Sequence, residues 1–241
     1  MSFSWEEWVL LAVIFVTNII QAITGFAGTA LAMPLSIRLI GVNESKAVLD
    51  LVAIVICVYV VFTSWKSIRW KEFLLMILFV GIGFGLGFAI ELLPIPQALL
   101  LKIYGGIIMA LALVFFFVDF SKVRIPLPVQ FLILILGGIL HCLYVSGGPL
   151  VVIYASYRFK DKNQFRATLS LMWIILNSII SVQYGVEGFY TPKVWLLIGL
   201  GSIISLLSAY LGHLIAGKLP MKVFMKITYV LLFASGLLLI I

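Results

Sequence analysis

From Trp8 to Ile37 the chain runs 30 residues without a charged side chain, and from Ile125 to Tyr157 it runs 33. Three further runs, Phe73–Ile90, Ala167–Val186 and Val194–Gly217, are also free of Asp, Glu, Lys and Arg. A helix needs roughly 20 apolar residues to cross a hydrocarbon core. Only 10% of the chain is charged and 64% is hydrophobic, whereas soluble domains carry about 25% charged residues. Water could not accommodate that much apolar surface. A membrane barrel would show alternating segments of about 10 residues instead. The expected fold class is an all-α membrane protein.

The two longest runs exceed one crossing, and both are interrupted near the middle. The first contains Thr24-Gly25-Phe26-Ala27-Gly28-Thr29, the second Val145-Ser146-Gly147-Gly148-Pro149. Glycine and proline at these places favour a broken helix. With the ordinary apolar runs, eight stretches can be read: 8–37, 47–65, 73–90, 98–118, 125–157, 167–186, 194–217 and 223–241. Shifting the sequence by 120 residues superposes the two halves without a gap. Gly28 then falls on Gly148, Arg38 on Arg158, Asn43 on Asn163, Lys46 on Arg166, and Ala47 on Ala167. The chain therefore reads as two repeats, 1–120 and 121–241.

Twelve of the sixteen basic residues fall in four segments, 66–71, 119–124, 158–166 and 218–226. Lys and Arg accumulate in the cytoplasmic loops beside membrane helices. With these segments inside, both ends of 125–157 lie on one side, so that stretch must enter and return. The loop 38–46 and the acidic start of the chain, with Glu6 and Glu7, then lie outside, making 8–37 re-entrant from the opposite face. Each repeat becomes one broken, re-entrant pair of half-helices plus three spanning helices. An odd number of crossings per repeat makes the repeats inverted, a recurring transporter architecture. The alternative is two long kinked helices, giving eight spanning helices and parallel repeats.

A broken helix exposes the N–H groups and positive dipole end of its second half. Such an end holds a small anion without a basic side chain. The candidate N-termini start near Gly28-Thr29 and Gly148-Pro149, with Gly25 and Gly147 allowing close backbone approach. Thr24, Thr29 and Ser146 can add hydroxyl donors. Gln21 and His141 occupy equivalent positions just before each break. Asn177 is a further neutral donor, either to a substrate or between helices. The candidate substrate-binding residues are thus Gln21, Thr24, Gly25, Gly28, Thr29, His141, Ser146, Gly147, Gly148 and Asn177. The competing use of glycine is close helix packing, and Gly81, Gly83, Gly85 and Gly87 read that way.

Asn18, Ser178 and Gln183 are costly in lipid and are expected to face the interior. Asp50 is expected to pair with Lys46 one turn away, a role in ion coupling being the lesser alternative. His141 is read either as the candidate for proton linkage, because histidine titrates near neutrality, or as a neutral hydrogen-bonding residue. Cys57 and Cys142 read as small buried hydrophobes, without metal-ligand spacing. Glu6 and Glu7 with no basic flank argue against a cleavable leader, so the first apolar stretch is expected to be retained. No catalytic motif is evident, and neither a cofactor nor a metal is expected. The net charge of +7 is attributed to cytoplasmic loops, not to nucleic-acid binding. The expected partners are the lipid bilayer and a small anionic substrate, with a proton as candidate coupling ion and oligomerisation left open.

These same residues carry a family resemblance. The run Gln21-Ala22-Ile23-Thr24-Gly25-Phe26-Ala27-Gly28, followed by Met33-Pro34-Leu35, resembles the opening motif of the sulfite exporter TauE/SafE family. Gly147-Gly148-Pro149-Leu150, Tyr154 and Phe165-Arg166-Ala167-Thr168-Leu169 resemble the signature of that family's second half. The resemblance covers essentially the whole chain. It implies a secondary transporter, by its name an exporter, for sulfite, an organosulfonate or a related sulfur anion, in the plasma or inner membrane. The chain departs from the pattern where Ala27 and Thr29 flank Gly28 and where Leu150 replaces a second proline. An uncoupled anion channel and a membrane subunit of a larger complex are the other classes compatible with the sequence.

Overall fold

A computed structural model describes residues 4–24, 27–118, 123, 125–159, 161–216 and 221–241, with backbone alone at 213, 216 and 221–224. The described residues form α1 (Trp5–Thr24), α2 (Gly28–Ile40), α3 (Val42–Ser64), α4 (Trp70–Glu91) and α5 (Gln97–Phe117), then α6 (Leu127–Tyr144), α7 (Gly148–Arg158), α8 (Lys162–Val186), α9 (Pro192–Ala216) and α10 (Met221–Ile240), plus a 3-10 turn at Trp65–Ser67. Among the described residues, seven segments are long and apolar enough to cross a membrane: Trp5–Thr24, Val42–Ser67, Trp70–Glu91, Gln97–Phe117, Leu127–Tyr144, Lys162–Val186 and Pro192–Gly212. The chain is a multi-pass helical membrane protein.

Both interrupted stretches are pairs of helices that double back. A Cβ placed on Gly137 would lie 3.1 Å from the Val151 side chain. On one continuous helix those residues would be about 21 Å apart. Likewise a Cβ on Gly28 would lie 2.7 Å from Cβ of Gln21. At one end of the molecule Glu7, near the start of α1, pairs with Lys193 at 2.5 Å. At the same end Asn43, just beyond α2, accepts from the Tyr184 hydroxyl at 3.5 Å. At the other end Tyr157 donates to the Val123 carbonyl at 2.7 Å, and Arg69 Nη1 donates to the Arg158 carbonyl at 3.4 Å. Each pair thus starts and finishes at one end, and the two pairs do so at opposite ends.

The two arms of a pair are unequal, which differs from the expected two half-helices. α1 has 20 residues and α6 has 18, each as long as a crossing, while α2 has 13 and α7 only 11. The first arm is an unbroken apolar run up to the glycine cluster, and nothing within it stops the helix earlier.

Helix packing uses part of the glycine row. Gly83 lies against the Ile135 backbone and Gly87 against Cys142 of α6, but Gly81 and Gly85 face open space. Gly138 of α6 completes that contact, since a Cβ there would lie 2.8 Å from the Phe84 backbone nitrogen. Such approaches are how membrane helices gain van der Waals contact. Ser178 is exposed, contrary to expectation. Its hydroxyl donates to the Ile174 carbonyl one turn back at 2.7 Å, so its polarity is satisfied within its own helix.

α3 and α8, which correspond under the 120-residue shift, pack antiparallel. Asn43 lies against Tyr184, Asp50 against Ser181, and Val61 against Ala167. Residue numbers rise along one helix as they fall along the other.

Candidate functional site

The break between α6 and α7 is held by a specific backbone device. Val145 adopts a left-handed conformation, φ 52°, which is costly for a β-branched residue. Its N–H closes α6 on the His141 carbonyl at 2.7 Å. Ser146, 1% exposed, accepts from the Tyr104 hydroxyl at 2.7 Å and donates to the Tyr144 carbonyl at 2.8 Å. Gly147 leads into α7, where Pro149 sits in the first turn, a position at which its missing N–H costs nothing. In the first pair, Thr24 donates to the Ile20 carbonyl at 2.9 Å and accepts weakly from the Ala27 N–H at 3.4 Å. Neither Ala27 nor Gly147 caps the following helix with its side chain. The leading N–H groups of α2 and α7 thus lack intrahelical partners.

Both N-termini open on one small buried cavity of about 20 Å³, lined by Gln21, Thr29, Ala53, Cys57, His141, Val145, Gly148, Trp173 and Asn177. A single water needs roughly 10–15 Å³ by the same measure, so the cavity is closed down to water size. Of the sequence-derived candidates, Gln21, Thr29, His141, Gly148 and Asn177 converge here. Thr24 and Gly28, which flank the first break, and Ser146 and Gly147, within the second, do not line the cavity. Gly25 lies outside the described residues. The Ser146 hydroxyl is engaged by Tyr144, so its donor points away from the cavity's use.

His141 and Asn177 form the polar wall. His141 is 3% exposed and Asn177 1%, and His141 Nε2 lies 2.7 Å from Asn177 Oδ1. An amide oxygen only accepts, so Nε2 carries the proton. The imidazole rests on Trp173, ring centroids 4.4 Å apart, and Nδ1 makes no hydrogen bond to the described residues. Asn177 is thus a helix–helix hydrogen-bond partner, accepting from His141, and also lines the cavity.

Two lining residues, Ala53 and Trp173, are not singled out from the sequence, and Val145 is read there only as part of the break. Trp173 could have been found from spacing. It lies one turn before Asn177, and Arg166, Leu169, Ser170 and Trp173 share one face of α8 toward a second small cavity of about 30 Å³. Cys57, read as a buried hydrophobe, borders both cavities.

The second cavity lies between the first and a vestibule of about 460 Å³ at the C-terminal end of α3, and it has wall residues in common with each. It shares Gln21, Cys57 and Trp173 with the central cavity, and Tyr59, Val60, Arg166 and Ala209 with the vestibule. At the other end of α3 lies a vestibule of about 450 Å³ bordered by Asn43, Lys46, Glu91, Tyr184 and Glu187, which has no lining residue in common with the central cavity. There Lys46, 2% exposed, pairs with Glu91 at 2.8 Å and lies 5.0 Å from the Tyr184 ring centre. This corrects the expected Lys46–Asp50 pair. Asp50 is wholly buried and accepts from Ser181 Oγ at 2.5 Å instead. The end of α4 brings a competing carboxylate to Lys46 that one-turn spacing along α3 cannot reveal.

The fold and site together define a helical membrane protein built around two doubled-back broken helices, whose second arms start at a shared buried cavity. The description "Sulfite exporter TauE/SafE" belongs to the family that matches residues 10–239, and the chain belongs to that family. It is also 29% identical over 104 residues to a probable inner membrane transporter protein TsaS of Comamonas testosteroni, a match covering 42% of this chain and 42% of that protein. The similarity thus spans less than half the length of that curated relative. No solved structure matches the chain.

Proposed function

We propose that the protein is a secondary transporter of a small sulfur-containing anion, sulfite or an organosulfonate, held between the N-terminal ends of α2 and α7. It acts in the plasma or inner membrane, as the relative's name suggests for that protein, and exports, as the family's name suggests. The observation that carries this reading is the convergence of Thr29 and Gly148, at two helix starts, on one buried cavity with Gln21, His141 and Asn177. Two positive dipole ends and neutral donors suit a small oxyanion. The repeats 1–120 and 121–241 are inverted in this reading, supported by the antiparallel packing of α3 on α8. Alternating access then comes from movement of one repeat against the other.

The near closure of the cavity, about 20 Å³, favours a transporter over an open anion channel. His141 offers a route for proton coupling. With Nε2 donating to Asn177, a neutral ring presents only an acceptor at Nδ1, and a proton taken up there supplies a further donor to an anion. The test uses purified protein with sulfite, sulfate, thiosulfate, sulfoacetate and taurine. Sulfite or a sulfonate is expected to raise the unfolding temperature, and in proteoliposomes a proton gradient is expected to drive uphill accumulation. Stabilisation by none of the five sinks the sulfur assignment, and flux that only runs downhill leaves a channel.

A further inference from the structure

The two vestibules correspond under the shift that relates the halves. Asn43 and Lys46 border one, and their equivalents Asn163 and Arg166 border the other. The vestibules have similar volumes, about 450 and 460 Å³, and lie at opposite ends of α3. Their electrostatic states differ. Lys46 is buried and neutralised by Glu91 at 2.8 Å. Arg166 is half-buried, and among the described residues no acidic side chain pairs with it. Thr63 and Ser64 border the same space. Among the described residues, the small adjoining cavity shares Arg166 with this vestibule and Gln21, Cys57 and Trp173 with the central cavity, whereas the Lys46 vestibule shares no lining residue with either.

We propose that Lys46 and Arg166 are equivalent anion stations at the two mouths of the path, and that Glu91 occupies the Lys46 station in this conformation as an internal substitute for the anion. The proposal rests on the transporter reading above and assigns the route to its site. A cation in a narrow vestibule with apolar walls concentrates anions. An unpaired guanidinium offers a planar fork that matches two oxygens of a sulfite or sulfonate group. Lys46 is a compact point charge, and a carboxylate already fills its coordination. An incoming anion must displace Glu91, or Glu91 must withdraw as the end of α4 moves, before that mouth binds. The Arg166 mouth is therefore the loaded entrance in this conformation and the Lys46 mouth the latched one.

The test reads local charge through thiol labelling and needs no transported substrate. In a Cys57→Ser, Cys142→Ser background, Ser64→Cys reports the Arg166 vestibule and Asn43→Cys the Lys46 vestibule. Labelling rates are measured with an anionic sulfonatoethyl and a cationic aminoethyl methanethiosulfonate. At Ser64→Cys the anionic reagent is expected to be favoured about tenfold. That preference should vanish with Arg166→Gln and return with Arg166→Lys, which separates lost charge from misfolding. At Asn43→Cys no anionic preference is expected until Glu91→Gln is added, and adding Lys46→Gln should remove it again. A rate ratio at Ser64→Cys that ignores Arg166→Gln, or one at Asn43→Cys that ignores Glu91→Gln, overturns the proposal. Sulfite flux on the same variants keeps the two readings distinct. A labelling preference without sulfur-anion transport leaves the stations standing and removes the substrate class.

Discussion

The two broken pairs occupy equivalent places in the sequence and share one cavity, yet they are held differently. In α6–α7 the break is wired to distant elements. Ser146 bonds Tyr104 of α5, His141 bonds Asn177 of α8, and Val145 is kept in a left-handed conformation. In α1–α2 the bonds described at the break, from Thr24 to Ile20 and from Ala27 to Thr24, stay within the pair. Under the shift, strained Val145 corresponds to Gly25, a residue for which a left-handed conformation carries no steric cost. Among the described bonds, one wall of the site is thus tied across elements and the other within its own pair.

The strongest way to break that comparison is to enlarge the glycine behind each wall. A Cβ at Gly147 meets the Gly137 backbone carbonyl and lies 2.8 Å from Cβ of His141, whereas at Gly28 the three nearest atoms are all of the Gln21 side chain, with its Cβ at 2.7 Å and no backbone atom among them. Backbone cannot yield as a side chain does, so Gly147→Ala should cost about 3 kcal/mol and Gly28→Ala clearly less. Unfolding temperatures in detergent check the order, and equal losses would remove the asymmetry. Next in size is Asn177→Ala, which strands the buried Nε2–H of His141 and should cost about 2 kcal/mol. Gln21→Ala, at the equivalent wall, should weaken anion binding with little loss of stability, as paired melting and sulfite-binding measurements would show. The smallest effect is expected from Tyr104→Phe, which removes one hydrogen bond across α5 and α6 and should cost about 1 kcal/mol. Faster hydrogen exchange confined to residues 144–149 would sharpen the picture, and exchange spread equally over 22–30 would blur it.

Much of the helical layout was legible because it depends on local properties. The apolar run 73–90 became α4 (Trp70–Glu91) and 167–186 became α8 (Lys162–Val186), with polar and charged residues filling the outer turns. The starts of α2 and α7 fall on Gly28 and Gly148, where glycine and proline end one helix and permit another. The unequal arms were not legible, because hydropathy runs through a break without showing how far each arm extends. Half of the site candidates line the cavity. Ser146 does not deliver its hydroxyl there because Tyr144 takes it, a contact the linear order conceals. Trp173 joins the wall through the face that α8 turns toward α3.

The sequence by itself determined that the chain lives in a membrane, that two of its helices are broken, and that the breaks stand in equivalent positions. Those properties follow from the charge of neighbouring residues and from backbone preferences of glycine and proline, which act over a few residues. The tertiary structure alone decided which polar groups reach the shared cavity, that Glu91 and not Asp50 takes Lys46, and that Arg166 has no acidic partner among the described residues. In a low-dielectric interior each buried polar or charged group takes whichever partner packing brings within hydrogen-bond reach. For Lys46 that partner comes from the end of α4, 45 residues along the chain.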